Sequence, residues 1–174
     1  MIDCLRLLLH SDCRLNKDGA SIPPESRYPL DVAAAYSNVE AVKLLLEHKA
    51  DVAAKDEYNR PAIFNAVFPT GRGRDYSSSG RLAVTELLLD AGADVNVTNN
   101  RGQTPLVHML WECVLLGGRD NREILPEIAR VTQALLMRGP SEIEKALEMA
   151  MRVGLGKESA GCVIGFKGLY DAFS

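Results

Sequence analysis

Long hydrophobic runs are missing from this chain. No apolar stretch approaches the roughly 18 residues that a membrane-spanning helix needs, so no membrane partner is expected. Charge of one sign is scarce as well. Twenty Lys and Arg stand against 23 Asp and Glu, a formal net charge of −3. A dedicated nucleic-acid binder normally carries a basic stripe, so no nucleic-acid partner is expected. Cysteine is sparse: Cys4, Cys13, Cys113 and Cys162 are scattered without a disulfide-like framework. Reduced thiols in an intracellular compartment, cytoplasmic or nuclear, are the expectation. The start, Met1-Ile2-Asp3-Cys4-Leu5-Arg6, has an acid at position 3 and no small-residue cleavage site after its leucines, which argues against a secretory signal.

Chemistry-bearing constellations are equally thin. His10 with Cys4 and Cys13 matches no zinc spacing, so no metal is expected. His48, His108 and Cys113 have no carboxylate or nucleophile at a diagnostic distance, so no catalytic residue is assigned and the chain is not expected to be an enzyme. Gly71-Arg72-Gly73-Arg74 lacks the Gly-Lys-Ser/Thr ending of a phosphate loop, and no cofactor is expected.

What the chain does have is repetition. Tyr28 to Asp56 holds two short helical patterns joined tightly and followed by a polar turn. Pro29 suits a helix start, where its locked φ fits and its missing N–H costs nothing. Ser37-Asn38-Val39-Glu40 has the form of a capping box, with Ser37 expected to accept from the Glu40 N–H. Leu44-Leu45-Leu46 closes the second helix before Ala50-Asp51-Val52. That ending recurs as Leu87-Leu88-Leu89 before Ala93-Asp94-Val95-Asn96, again as Val131-Thr132 to Gly139, and at the N-terminus as Leu7-Leu8-Leu9. The first helix recurs from Pro61 to Ala66 and from Thr104 to Met109. Such a unit is too small to bury its apolar face alone and needs a copy on each side.

These motifs resemble the ankyrin repeat, whose unit is about 33 residues with a Thr-Pro-Leu-His-x-Ala signature. The resemblance implies an all-α fold: an α-solenoid of about four to five helix-turn-helix repeats with β-turn fingers and expanded helix–helix loops. One domain is expected over residues 1–174. It divides into a partial N-terminal repeat (1–27), a repeat (28–59), a repeat (60–99) with an inserted loop (69–80), a repeat (100–139) with an inserted loop (117–126), and a degenerate capping repeat (140–174). The sequence departs from the signature in places. Its threonine survives only at Thr104, and its histidine position holds Asp31, Ile63 and Val107, so modest stability is expected. Asn96 matches the finger asparagine that holds the turn in the family. The leucine-rich first helix lacks the polar outer face of a terminal repeat, so either the chain is a fragment of a longer one or its open end is covered by another molecule.

The resemblance implies two surfaces. On the concave face, outward first-helix positions would be Tyr36, Phe64, Phe68, His108, Trp111 and Glu112, with Val32, Ala35 and Val67 beside them. Asp56, Glu57, Tyr58, Asn59, Asn100, Arg101 and Gln103 of the fingers would form the rim. The aromatics either anchor a partner or lie under the expanded joints as extra core; sequence leaves both open. On the loop edge, Arg72, Arg74 and Arg81 would approach Arg119 and Arg122; these are either solvated loops with no partner, the default expectation, or a cluster suited to acidic peptides or phosphate groups. The function implied is non-catalytic binding of a protein partner of unknown identity by a scaffold or adaptor. The alternative is a regulatory or accessory segment of a larger enzyme or receptor. A monomer is expected unless the open N-terminal face pairs with a second copy.

Overall fold

A computed structural model describes residues 28–68, 80–116 and 125–139. The partial N-terminal repeat, most of both inserted loops and the capping repeat from Pro140 on lie outside the described residues. Within them the chain forms six helices and no strand. These are α1 (Pro29–Ala35), α2 (Val39–Glu47), α3 (Ala62–Val67), α4 (Arg81–Asp90), α5 (Pro105–Leu116) and α6 (Leu125–Leu136). The last starts inside the stretch assigned to the second loop, because Leu125-Pro126 opens a helix and Pro tolerates that position.

The helices stack in two layers. α3 packs between α1 and α5, and α4 between α2 and α6, while α1 pairs with α2 and α3 with α4. Leu45, Leu88 and Leu135, the corresponding leucines of the three second helices, are buried. Val84-Thr85 and Val131-Thr132 occupy equivalent places. Both valines are core, and each threonine hydroxyl donates to the carbonyl four residues back, Thr85 to Arg81 at 2.9 Å and Thr132 to Ile128 at 2.8 Å. That bond satisfies a hydroxyl which would otherwise be buried unpaired.

The helix ends follow one plan. After α2, the Lys49 N–H donates to Leu46 and the Ala50 N–H to Leu45; after α4, Gly92 donates to Leu89 and Ala93 to Leu88. These paired bonds close the last turn with one residue in the left-handed region, Lys49 (φ 61°) or Gly92 (φ 93°); Gly139 (φ 69°) takes the same conformation after α6, where its N–H donates to Leu136. The start of α2 departs from the expected capping box. Asn38, not Ser37, is the cap: its carboxamide oxygen accepts from the Ala41 N–H at 3.1 Å. Ser37 is buried with φ 50° and completes the bend out of α1 instead. That bend is pressed against the start of α4, since a Cβ on Gly80 would fall 2.5 Å from the Ser37 carbonyl oxygen.

α3 is the centre of the stack. Every residue from Ala62 to Val67 is at most 5% exposed, so this helix has no solvent face. It ends at Phe68, which turns extended (φ −154°, ψ 101°) ahead of a proline, as pre-proline residues do.

Candidate functional site

The polar turns between repeats form two fingers on a common design. Asp51 and Asp94, just after the helix exits, accept from the backbone N–H two residues on, Ala53 at 2.9 Å and Asn96 at 2.8 Å. In the second of these turns Asp94 is an acceptor and Asn96 supplies the backbone donor.

The finger tips follow. In the first, the Asp56 N–H donates to the Arg60 carbonyl and the Asn59 N–H to the Asp56 carbonyl, both at 3.0 Å. Asp56 Oδ1 accepts from the N–H groups of Tyr58 and Arg60 at 2.9 Å, and Oδ2 receives Arg60 Nε at 3.0 Å and Nη2 at 2.8 Å. The second tip repeats this with Asn99. Its N–H donates to the Gln103 carbonyl and its own carbonyl receives the Gly102 N–H. Its Oδ1 accepts from Arg101 at 2.8 Å and Gln103 at 3.0 Å, and its Nδ2 donates to Gln103 Oε1 at 3.1 Å. Asn59 (φ 60°) and Gly102 (φ 69°) take the same left-handed position.

The fingers are also stitched together. The Asn100 N–H donates to the Tyr58 carbonyl at 3.0 Å and its Nδ2 to the Glu57 carbonyl at 3.1 Å, while Asn59 Nδ2 donates to the Thr98 carbonyl at 2.7 Å. Three cross-finger bonds fix the spacing of the tips. Above them Tyr58 is 53% exposed, its ring centroid 4.7 Å from the Arg60 guanidinium carbon, a cation–π contact.

The residues expected to meet a partner divide sharply. Glu57, Tyr58, Asn100 and Arg101 are exposed, as are Val32 and Tyr36, four apart on α1. Asp56, Asn59, Trp111 and Glu112 are half-buried. Phe64, Phe68, His108 and Gln103 are core, along with Ala35 and Val67, and offer no surface. The outward face assigned to α3 is thus corrected: α1, α4 and α5 all pack on this helix, and its aromatics fill the interior. Of the loop-edge arginines, Arg81 is buried at 1% exposure and is removed from that cluster; Arg72, Arg74, Arg119 and Arg122 lie outside the described residues.

His108 sits one position beyond the signature histidine, in a place the sequence pattern did not foretell. Its ring lies 5.5 Å from that of Phe64 and tilted by 52°. Neither ring nitrogen has a hydrogen-bond partner. Burial, helped by the nearby Arg60 and Arg101 guanidinium groups, pushes its pKa down to about 4. One helical turn on, burial raises the Glu112 carboxyl above its ordinary value, while Arg101 and Arg60 pull the other way. The missed organiser is Asn99. The signal was in the chain: an Asx residue, a turn former three later and a long polar side chain four later, as in Asp56 to Arg60.

The family of ankyrin repeats (many copies) matches residues 30–71, and a single ankyrin repeat matches residues 75–100. No curated protein matches this sequence. With its helices stacked in two layers and its fingers stitched in register, the chain carries ankyrin repeats within residues 30–100. Ankyrin repeats are in general protein–protein interaction modules and typically non-catalytic. Among the described residues no helix is long and apolar enough to cross a membrane.

Proposed function

We propose that this chain is a non-catalytic binding module that meets a protein partner with the tips of its fingers. Glu57 and Tyr58 supply one half of the contact and Asn100 and Arg101 the other, with the half-buried Trp111 and Glu112 behind them. Tyr58 carries the reading. Its ring is more than half exposed, yet its N–H is tied to Asp56 and its face to Arg60. An aromatic held in place before contact gives up little entropy on binding, and Tyr and Arg are the residue types that dominate interface energetics. Polar groups beside the ring then select a partner by hydrogen bonding and charge rather than by bulk apolar burial.

The test is capture of bound protein from cell extract by the intact chain and two variants. Tyr58→Ala is expected to reduce the affinity for whatever is captured at least tenfold. Lys55→Ala, an exposed change on the same finger, is expected to leave it alone, with helical content unchanged in both. Equal capture by the two variants would overturn the finger-tip reading.

A further inference from the structure

His108 stands at a junction. It lies in the second turn of α5, the helix that follows the second finger directly, and is 4% exposed with its ring on Phe64 of α3. A buried imidazole with both nitrogens unpaired is tolerable only while neutral, since its charged form carries two N–H donors with nothing to receive them. The charges that face it come from three elements. Arg60 of the first finger, itself paired with Asp56, and Arg101 of the second act on it through space, and Glu112 lies one turn along α5; α3 contributes no ionisable residue. The two guanidinium groups oppose a third cation; the Asp56 carboxylate is spent on Arg60, and the Glu112 carboxyl, itself disfavoured as an anion by burial, is a poor counter-ion.

We propose that His108 is an acid-operated latch between the finger pair and the inner helix layer. Neutral, it lets the first turns of α5 seat on α3. Protonated, it cannot stay buried on Phe64 with two N–H donors that nothing receives, so that part of α5 comes away together with the second finger. The cross-finger bonds of Asn100 and Asn59 then lose their register. Loss of partner binding in acid is a consequence that rests on the finger-tip reading; the latch does not.

The sign follows from the two protonation states. The opened imidazole takes a proton near its ordinary pKa of about 6.5, the seated one only near 4, so acid favours the open form throughout that window and the effect levels off below it. Between pH 7.5 and pH 5.0 the opening equilibrium should rise roughly 30-fold.

Two measurements on the whole chain test this. In the first, the imidazole resonances of the folded wild type are titrated, with His108 assigned by its disappearance in His108→Phe or, should that variant not fold, His108→Gln. A midpoint well below 6 is expected; a midpoint near 6.5 overturns the latch. In the second, amide hydrogen exchange, corrected for intrinsic rate, is compared at the two pH values. A rise confined to residues 62–67 and 99–116, absent in the folded variant, supports it. A uniform rise that includes 29–47, or an equal rise in the variant, overturns it. Neither readout involves a partner, so failure of the latch is distinct from failure of the binding role.

Discussion

At the first finger tip a carboxylate and a guanidinium close the turn; at the second, two carboxamides do the same work. Asp56 and Asn99 each present one side-chain oxygen to the N–H groups two and four residues on. The atom left over then finds the side chain at the fifth position, Oδ2 meeting Arg60 and Nδ2 meeting Gln103. The turn therefore demands only an Asx oxygen at its start and a residue tolerant of the left-handed region at its fourth position. Charge is optional for the geometry. It matters for what the tip presents, since the Arg60 that closes the first turn also carries the Tyr58 ring.

Removing the organising side chains should break the comparison most. Asp56→Ala strips two backbone donors of their acceptor and leaves the Arg60 guanidinium, whose side chain is 13% exposed, without its carboxylate; a loss of about 3 kcal/mol is expected in equilibrium urea unfolding. Asn99→Ala removes the same two acceptor bonds but strands no charge, so about 2 kcal/mol is expected by the same measurement. A larger loss at Asn99 than at Asp56 would mean the ion pair adds nothing beyond the turn.

The fourth positions test the backbone alone. Gly102→Ala should cost about 1 kcal/mol, because a Cβ there meets nothing within 4 Å and only the positive φ opposes it. Asn59→Gly should be near neutral, since relief of the left-handed strain is offset by the lost bond to Thr98. A clear gain in thermal midpoint for Asn59→Gly would demote the cross-finger stitch. Smallest is the response to salt. Raising ionic strength should weaken the first finger by under about 1 kcal/mol, and the double change Asp56→Asn with Arg60→Gln, which copies the second tip, should abolish that response.

Much of the fold was legible along the chain because it is local. The leucine triplets, Pro29 and the residues around Gly92 and Gly139 specify helices and stops over a few residues, and repetition of the unit implies stacking. The capping error at Ser37 shows the limit of a pattern. Two adjacent residues, Ser37 and Asn38, can both cap, and the tight bend after α1 decides for Asn38 by spending Ser37 on a left-handed link. The candidate surface was legible only in part. Finger-tip exposure followed from turn composition, as at Glu57 and Asn100. Exposure of the first-helix aromatics did not, and Tyr36 and Phe68, alike on paper, end on opposite sides of the protein surface.

Local spacing and turn chemistry, which act over a handful of bonds, were enough for the sequence alone to set the helices, their pairing and their exits. The tertiary structure decided what each face meets. α3 is enclosed because α1, α4 and α5 all pack on it, and the charged form of His108 is disfavoured because the ring is buried on Phe64, with Arg60 and Arg101 of the two fingers adding to the effect. Burial is a sum over neighbours distant along the chain, and no repeat carries that sum within itself.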